Sequence, residues 1–509
     1  MNPTESDDGS PPHAEQAHEL ERLGYAQELL RRMGGFSNFA ISFSIICILA
    51  GGLTSFQLGL CSVGGAAIGI GWPVSAAFSM LVALGMAQIA SAFPTAGGLY
   101  HWASILGSRG WGWLTAWLNL LGLVTVLAAI NVGTYLFLTG WLGIDEAQSA
   151  RWQLLGVVLI TGTQALFNHL GIRLTAILTD LSGYLIFAVC LLLTGAVLFH
   201  APHWEFARLW QFTNYSGDAG GEVWPQTDSL TYLFLLGLLL PAYTITGFDA
   251  SAHTAEETTD APLNVPKGMV SSVLWSGLFG YLMLSALVVS APNLDAAAAS
   301  GGRAFFTIFE GLVQGPLQIV IYAGISLCQY LCGLAALTST SRMTYAFARD
   351  GGLPFSSTLR QVHPKFRTPV PAVWVSALLT VAFTVYADVY STITSVCVIF
   401  LYISYLLPVA LGVWAHGRRW TRMGPWDLGR AFKPIAATSS LLCGVLLYLT
   451  VQPPNEKALT FTAGSLILAG AVWFGGERRR FQGPPLTLDE IQRPAGLQGS
   501  TVGGEKSED

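Results

Sequence analysis

Charge is scarce in this sequence. Charged residues make up 11% of the 509 residues, whereas hydrophobic residues make up 52%, and the mean hydropathy is +0.52. A soluble protein of this length needs much more polar surface than this composition supplies. The composition therefore excludes a soluble protein and indicates an integral membrane protein.

Motifs for catalysis and metal binding are missing as well. The sequence has no Walker loop and no HExxH motif, and its metal-ligating residue types are not clustered. The seven cysteines all fall inside apolar runs, which provides neither a disulfide framework nor a metal-ligand spacing. We therefore expect a protein that is not an enzyme or an ATP-driven pump, with no cofactor, no metal and no nucleic-acid partner.

Long apolar runs fill most of the chain. Each is long enough to cross about 30 Å of hydrocarbon as a helix, which predicts an all-α protein in the lipid bilayer. The twelve predicted transmembrane helices cover residues 36–60, 64–93, 111–142, 152–170, 174–199, 229–252, 269–292, 316–347, 370–387, 389–413, 433–452 and 458–475.

The distribution of basic residues predicts the orientation of these spans. With the N-terminus inside, only Arg151, Arg208, Arg303 and Lys457 of the 25 lysines and arginines fall on the outer side, which leaves 21 inside. We expect a multi-pass protein of the cell membrane, either the plasma or the inner membrane, with both termini in the cytoplasm.

The remaining segments lie outside the membrane. Residues 1–35 are expected to form a cytoplasmic tail that carries a short amphipathic surface helix over 15–33, where Glu28 and Arg32 are four residues apart. Residues 301–315 have apolar positions at helical spacing and predict an external lid helix. The polar residues 476–509 are expected to be a disordered cytoplasmic tail.

The most informative stretch runs from Gly237 to Glu257. It carries Asp249, and a charged side chain at membrane depth costs about 3 kcal/mol unless it faces a polar cavity or a partner. Pro241 and Gly247 in the same stretch predict an interruption of the helix between them, and bare backbone at this depth is tolerated only where it lines a cavity.

A matching interruption is predicted in the first span, at Gly51-Gly52. Interrupted helices at corresponding positions of two halves indicate a transporter site near the membrane midplane. Because the two breaks are five spans apart, the halves must be inverted, which predicts a first repeat over 36–199, a second over 229–413 and two further helices over 433–475. The amides after Gly52 can hold a carboxylate, and the carbonyls before Gly51 and over 242–246 can hold an ammonium group.

Several motifs then resemble one family. The stretches LGYAQELLRRMGGFSNFAISFSII, FPTAGGLYHWASILG, GFDASAHTAEETTDAPLNVPKGM and TSTSRMTYAFARDGGLPFS, in this order, resemble the amino acid/polyamine/organocation superfamily and, within it, the amino acid/choline transporter family. The resemblance implies a five-plus-five inverted repeat with broken helices 1 and 6, and transport of amino acids or related amines by alternating access. It also implies a substrate site, whose residues would be Gly51, Gly52, Thr54, Thr244, Gly247 and Phe248, with Phe248 as an aromatic gate or a packing residue.

Two departures from the superfamily pattern limit the resemblance. Some bacterial members carry a lysine in the fifth helix that is linked to proton coupling, and Ile186 stands at that position here. Relatives that bind a glycoprotein heavy chain use a cysteine in the loop after the third span, and residues 143–151 contain none. We therefore expect no disulfide-linked heavy chain.

Charged residues near the second break allow two interpretations. On a helix, Asp249, His253 and Glu256 or Glu257 share one stripe from the cavity toward the cytoplasm, which could pass protons because histidine titrates near neutral pH. Alternatively, Asp249 caps or braces the broken helix, while His253 and both glutamates are solvated at the membrane edge. Asp249 is included among the candidate substrate-binding residues.

A coupling ion has a second set of candidate ligands. Thr338, Ser339 and Ser341 could supply oxygen atoms to a sodium ion together with carbonyls of the first span, because hard cations prefer oxygen. The alternative is that these hydroxyls bond back to their own helix. Arg342 is expected to pair with an acid that the sequence does not identify.

These features together predict a secondary active transporter. The expected substrates are amino acids, in particular neutral or gamma-amino acids such as 4-aminobutyrate, coupled to H⁺ or Na⁺. The alternatives are a choline or polyamine transporter, or a nutrient sensor that keeps the transporter fold.

Overall fold

The computed structural model describes residues 20–386, 390–452 and 455–493. These residues are almost entirely helical. The helices that coincide with the predicted spans are Gly35–Ile46 with Gly51–Thr54 and Phe56–Val63, then Trp72–Ala92, Arg109–Trp141, Glu146–His169, Ile172–His200, Leu230–Gly237 with Leu239–Thr244 and Ala250–His253, Ala261–Ser290, Pro316–Arg349, Val370–Tyr386, Tyr390–Ala415, Phe432–Thr450 and Glu456–Val472.

Within the described residues, nine helices are long and apolar enough to cross a membrane. The helices Leu230–Thr244 and Val370–Val385 are apolar but shorter. The protein is therefore an all-α, multi-pass membrane protein. The count of twelve crossings and the inverted repeat stay predictions.

The helix Glu146–His169 coincides with a predicted span but is not among the nine apolar helices. Its Leu155, Leu159 and Leu166 are 50%, 61% and 50% exposed on one face. Its Gln164 and Asn168 are fully buried and hydrogen-bonded to other helices. The helix thus turns leucines outward and amides inward, as expected for a helix with lipid on one side, and its buried polar residues lower its mean hydropathy.

The first span is interrupted, but not where the sequence suggested. The helix Gly35–Ile46 ends at Cys47, whose φ of 12° and ψ of 89° are not helical, and a helical turn resumes at Gly51. The break therefore comprises residues 47–50, and Gly51-Gly52 form the first turn of the following segment. A neighbouring helix stabilises the break, because Gln329 Nε2 donates to Leu49 O at 3.0 Å.

The second interruption also differs from the prediction. Pro241 lies in the first turn of the helix Leu239–Thr244, where its missing N–H removes no intrahelical bond. It contributes only the short discontinuity at Leu238, between the helices Leu230–Gly237 and Leu239–Thr244. The break itself comprises residues 245–249, and its Gly247 has a φ of +85°, a conformation that favours glycine.

The amphipathic helix expected over 15–33 is wrong for its described part. Residues 25–34 are non-helical, and Met33 pairs with Thr258 in an isolated bridge. Leu29 and Met33 are only 2% and 1% exposed, because this segment packs under the helix ends instead of lying on a surface. We name residues 25–34 the strap, and the end of the helix bundle that it covers the strap face.

The C-terminal segment also differs from its prediction. Phe481, Leu488 and Ile491 are 2%, 1% and 5% exposed, so residues 481–493 are packed on the strap face. Gln492 Oε1 accepts hydrogen bonds from the backbone amides of Thr421 and Arg422, at 2.7 and 3.1 Å. The predicted disorder is therefore wrong for this part of the tail, and residues 494–509 lie outside the described residues.

The opposite end of the bundle carries the helix expected over 301–315. The helices Leu294–Ala299 and Ala304–Leu312 form one after the other. Phe305 and Phe309 are 3% and 0% exposed, and both pack on Tyr322. We name these two helices the lid, and this end of the bundle the lid face.

Candidate binding site at the two helix breaks

The two breaks lie against each other in the interior of the bundle. A Cβ atom added to Gly51 would lie 3.1 Å from both Cα and Oγ1 of Thr244. A Cβ atom added to Gly247 would lie 2.3 Å from Cγ2 of Ile45. The structure therefore brings together Gly51, Thr244 and Gly247, which the sequence had placed in one site from positions about 190 residues apart.

Thr54 connects this site to a cavity on the lid face. Its hydroxyl donates to Ala50 O at 2.8 Å and lies 2.8 Å from the hydroxyl of Tyr390. Both side chains line a cavity of about 360 Å³. The other lining residues include Gln57, Arg303 and the lid residues Phe305 and Phe306.

Three predicted site residues have less direct roles. A Cβ atom on Gly52 would point at Met283 and Leu284, at 3.7 and 3.9 Å, and so toward the helix Ala261–Ser290. The Thr244 hydroxyl donates to Leu240 O of its own helix at 2.7 Å. Phe248 is fully buried, with its ring centroid 5.0 Å from that of Tyr405, so its role as a gate stays a prediction.

Asp249 is fully buried, and its carboxylate is completely surrounded by partners. The Tyr405 hydroxyl donates to Oδ1 at 2.8 Å. Asn119 Nδ2 donates to Oδ2 at 3.2 Å, and His253 Nε2 lies 3.2 Å from the same oxygen. Asp249 makes no side-chain cap for the helix Ala250–His253, so it braces neighbouring helices and does not cap its own.

In the predicted stripe, hydrogen bonds to the backbone of Ala96 connect His253 to Glu256. His253 Nδ1 lies 3.2 Å from Ala96 O, and Ala96 N donates to Glu256 Oε1 at 3.1 Å. His253, Glu256 and Glu257 are all 0% exposed. The alternative in which these three side chains are solvated at the membrane edge is therefore wrong.

Two ion pairs close the strap face. Arg342 binds Glu257 through two hydrogen bonds of 3.0 Å, and both side chains are fully buried. Arg349 binds Glu256 through two hydrogen bonds of 2.9 Å. Although burial raises the pKa of Glu256, the Arg349 guanidinium outweighs it and keeps that pKa below its usual value. Glu257 is thus the partner that the sequence could not assign to Arg342.

The strap is hydrogen-bonded into the same closure. The backbone amides of Arg32 and Met33 donate to Glu257 O at 2.9 and 3.0 Å. The Tyr25 hydroxyl donates to Asp350 Oδ2 at 2.8 Å, and its ring lies 4.0 Å from the Arg349 guanidinium carbon. Opening the strap face therefore requires the strap and both ion pairs to move together.

Of the three predicted sodium ligands, Thr338 and Ser341 are hydrogen-bonded to other protein groups. The Thr338 hydroxyl lies 2.9 Å from Leu334 O of its own helix and 2.8 Å from Asn168 Oδ1. Ser341 donates to Thr338 O at 2.8 Å and accepts from Arg342 Nη1 at 3.2 Å. The helix Pro316–Arg349 contacts the first break through Gln329, and Thr338 lies nine residues, about 13.5 Å, farther along it. Thr338 and Ser341 therefore follow the back-bonded alternative, and Ser339 Oγ has no hydrogen-bond partner in the described residues.

Four residues of this site were not predicted from the sequence. They lie on three other helices and are Asn119, Gln329, Tyr390 and Tyr405. Asn119 and Gln329 are amides within apolar spans, a signal that could have been used. The tyrosines carried no signal, because tyrosine is common in membrane helices and only the fold aims its hydroxyl inward.

Comparison with known proteins identifies the family of this chain. The family model for "Amino acid permease" matches residues 33–475. The chain is 34% identical to Amino-acid permease BAT1 of Arabidopsis thaliana, over 91% of this chain and 95% of that protein. It is 32% identical to the Amino-acid permease BAT1 homolog of Oryza sativa subsp. japonica, over 92% and 95% of the two chains.

A more distant relative has a narrower name. The chain is 27% identical to the GABA-specific permease of Saccharomyces cerevisiae, over 92% of this chain and 86% of that protein. Since these relatives are transporters and not enzymes, the expectation of a non-enzymatic protein is confirmed. The chain belongs to the amino acid permease family, as the resemblance of its motifs predicted.

Proposed function

We propose that this protein is a secondary active transporter that moves amino acids across the cell membrane by alternating access. The observation that carries the proposal is the close approach of residues beside the two helix breaks, Gly51 against Thr244 and Gly247 against Ile45. A helix start and an exposed carbonyl segment beside each other suit the carboxylate and the ammonium group of one zwitterion.

The charge distribution favours neutral or gamma-amino acids such as 4-aminobutyrate. Asp249 is the acidic side chain nearest the breaks, and its two oxygens are already bound by Tyr405, Asn119 and His253. A second cationic group on a substrate would therefore meet no free carboxylate there. The GABA-specific relative in Saccharomyces cerevisiae supports the same substrate class.

The proposed transport cycle alternates between the two faces. The strap face is sealed by ion pairs, while the lid face holds the cavity that reaches Thr54. We propose that the strap face is cytoplasmic, because Arg360, Arg418 and Arg422 lie there with most of the basic residues. The twelve crossings and the inverted repeat of five-plus-five helices belong to this proposal.

Uptake by proteoliposomes tests the proposal. The full-length chain, reconstituted with a labelled compound on both sides, should exchange at least one neutral or gamma-amino acid. Choline and putrescine in the same panel test the alternative of a choline or polyamine carrier. Absence of binding and exchange for every amino acid would refute the proposal, and binding without any exchange would favour the nutrient sensor.

A matched pair of glycine variants tests the site. Gly51→Ala places a methyl group 3.1 Å from the Thr244 backbone and should weaken substrate binding at least about tenfold, since a misplacement of this size costs more than about 1.4 kcal/mol. Gly52→Ala meets only the ends of flexible side chains, at 3.7 Å or more, and should cost less. Equal effects of the two substitutions on the dissociation constant would place the site elsewhere.

A further inference from the structure

We propose that Asp249 and His253 together hold one bound proton, and that this pair is the proton site through which substrate movement is coupled to a proton gradient. The proposal rests on the transport function proposed above. It identifies H⁺ as the coupling ion and assigns it to a pair of side chains on the second broken helix.

The His253 ring contacts an oxygen atom at each of its two nitrogens. Its Nδ1 lies 3.2 Å from Ala96 O, and its Nε2 lies 3.2 Å from Asp249 Oδ2. A backbone carbonyl can only accept a hydrogen bond, so Nδ1 must carry a hydrogen. Turning the ring over would place carbon atoms against both oxygens and lose both contacts.

The two contacts of His253 require one hydrogen more than a neutral ring carries. A neutral imidazole has a single N–H, and here Nδ1 uses it. The contact between Nε2 and the Asp249 carboxyl is then attractive only if a second hydrogen lies between them, on the ring or on the carboxyl oxygen. In either form, the pair holds one proton more than an ionised aspartate beside a neutral histidine. Both side chains are 0% exposed, so solvent does not replace this hydrogen bond.

The molecule contains a second histidine–aspartate pair that needs no extra proton. His101 Nε2 lies 3.0 Å from Asp350 Oδ2, while its Nδ1 contacts the hydroxyl of Thr95. A hydroxyl can donate as well as accept, so Thr95 donates to Nδ1 and a neutral ring donates from Nε2 to Asp350. The two pairs are both buried but differ in their third partner, a hydroxyl in one and a carbonyl in the other.

Other titratable groups around the proton site do not supply or remove its charge. Tyr405 donates to Asp249, and the Cys397 thiol on the same helix is close enough to Asp249 to interact with it. On the helix Pro316–Arg349, the two arginines are already neutralised by the glutamates that follow His253, as Arg342–Glu257 and Arg349–Glu256.

Among the described residues, those that contact Phe248, Ser251 and the His253 ring from the remaining elements are uncharged. The helix Gly35–Ile46 contributes Asn38 and Ser42, which bond to Ser251 and Phe248, and the helix Ala261–Ser290 places Gly268 beside Ser251. In the loop before the helix Leu99–Leu106, Gly98 lies next to the His253 ring. The proton on the pair therefore decides the local charge.

One hydroxyl connects the proton to the helix break. Tyr405 donates to Asp249 Oδ1 at 2.8 Å and accepts from the Gly247 amide at 3.1 Å. Loss of the proton leaves an ionised Asp249 that attracts the Tyr405 hydrogen more strongly, and this changes the bond to the Gly247 backbone. In each cycle one proton binds from one side and leaves to the other. The O–H or N–H bond that it forms on the pair breaks again on release, and one positive charge crosses with each zwitterion.

Accumulation in proteoliposomes tests the coupling. The probe is the amino acid that exchanges best in the panel, with the membrane potential clamped by potassium and valinomycin. A gradient of about one pH unit, acidic on the side of the lid face, should support up to about tenfold accumulation of the amino acid on the other side at one proton per substrate. Asp249→Asn should abolish this accumulation, since the Asn amide can donate to a neutral His253 without an extra proton.

The matched control is His101→Gln, which removes the histidine of the other pair. It should preserve the ratio between accumulation with and without the gradient. The proposal is overturned if the unaltered protein accumulates nothing under the gradient, if Asp249→Asn keeps the accumulation ratio, or if only His101→Gln loses it. Absence of exchange with every compound would instead refute the proposed transport function.

A spectroscopic measurement tests the protonation of His253 and Asp249 directly, without a transport assay. In the ¹⁵N-histidine-labelled full chain in lipid nanodiscs, His253 is assigned by comparison with His253→Gln. At neutral pH we expect either two protonated ring nitrogens on His253 or an infrared band of a protonated carboxyl that Asp249→Asn removes. A neutral His253 together with an ionised Asp249 would overturn the proposal even if transport were proton-driven.

Discussion

The two ends of the helix bundle are closed by different chemistry. The strap face is held by two buried arginine–glutamate pairs and by the strap, whose amides bind Glu257. The lid face is covered by phenylalanine rings around Tyr322, and its ion pair between Arg303 and Glu310 is exposed and 3.9 Å long. The cavity of about 360 Å³ lies under the lid.

The difference between ion pairs and aromatic contacts indicates that the strap face, and not the lid face, opens in an all-or-none manner. A buried ion pair is stable only when both charges are present, and separating it halfway leaves unpaired charge in a medium of low dielectric constant. The strap face must therefore open completely to water or remain shut. Aromatic contacts in the lid weaken gradually with distance, so the lid can yield in small steps.

The largest effect that distinguishes the two faces is expected at Glu257. Glu257→Gln leaves the Arg342 guanidinium buried without a counter-charge, which should destabilise the protein by about 3–5 kcal/mol. The measurement is the thermal unfolding midpoint in detergent. A double variant that replaces Glu257 by Leu and Arg342 by Met should recover much of the loss, and an unchanged midpoint for Glu257→Gln would show that the pair does not stabilise the closure.

A smaller effect is expected at Glu256. Its partner Arg349 is 12% exposed and has Asp350 at 4.0 Å as a second acid, so Glu256→Gln should open the strap face without unfolding the protein. All seven native cysteines are buried, and Leu29 in the strap is 2% exposed.

Maleimide labelling of Leu29→Cys therefore measures opening. Adding Glu256→Gln should accelerate labelling about tenfold, which corresponds to about 1.4 kcal/mol. The same substitution without Leu29→Cys gives the background from native cysteines. A labelling rate that does not change would mean that the Arg349 pair does not hold the strap.

The strap face should also respond to pH through His101. Burial lowers the pKa of His101 below its ordinary value of 6.5, although the bond to Asp350 opposes this shift. The open state therefore binds more protons than the closed state, and closure loses stability as the pH falls through about 6.5.

The rate of Leu29→Cys labelling must be divided by that of a fully exposed cysteine at the same pH, because maleimide reacts with the thiolate and the thiolate fraction falls with pH. This ratio should rise as the pH falls from about 7.5 to about 5.5, a window set by the ordinary histidine pKa. His101→Gln should remove this dependence. The lid face has no buried histidine among the described residues that line its cavity, so the same ratio for a cysteine introduced there should change little over this range.

The smallest effect is expected on the lid. Arg303 is 48% exposed, and its guanidinium lies 5.3 Å from the Phe306 ring centroid. Arg303→Ala should change stability by less than about 1 kcal/mol, with a shift in the unfolding midpoint that disappears at high salt. A loss as large as that of Glu257→Gln would contradict the distinction between the faces.

Part of the site could be read from local features of the sequence. Gly51 and Gly247 indicated two interruptions at membrane depth, and Asp249 indicated a polar environment, because bare backbone and charge are tolerated there only in a cavity or with a partner. The predicted break at Gly51-Gly52 directly follows the observed break at 47–50, and the predicted break between Pro241 and Gly247 overlaps the observed one at 245–249. Backbone conformation at 47–50 depends on contacts such as Gln329 with Leu49 O, which are absent from the local sequence.

In the strap, by contrast, the local sequence pattern predicts the wrong secondary structure. Its spacing of Glu28 and Arg32 fits a helix, but an extended conformation gains hydrogen bonds from Met33 to Glu257 O and buries Leu29. Tertiary contacts of this kind outweigh a helix propensity that differs by only tenths of a kcal/mol per residue.

The sequence by itself determined the class of protein, most of the apolar helices and the stretch that carries Asp249 and His253, because hydropathy and helix breakers act locally. Only the tertiary structure decided the partners: Glu257 for Arg342, Glu256 for Arg349, and a carbonyl instead of a hydroxyl for His253. The physical reason is that a hydrogen-bond partner is chosen by position in space, and these partners come from segments up to about 160 residues apart in the chain.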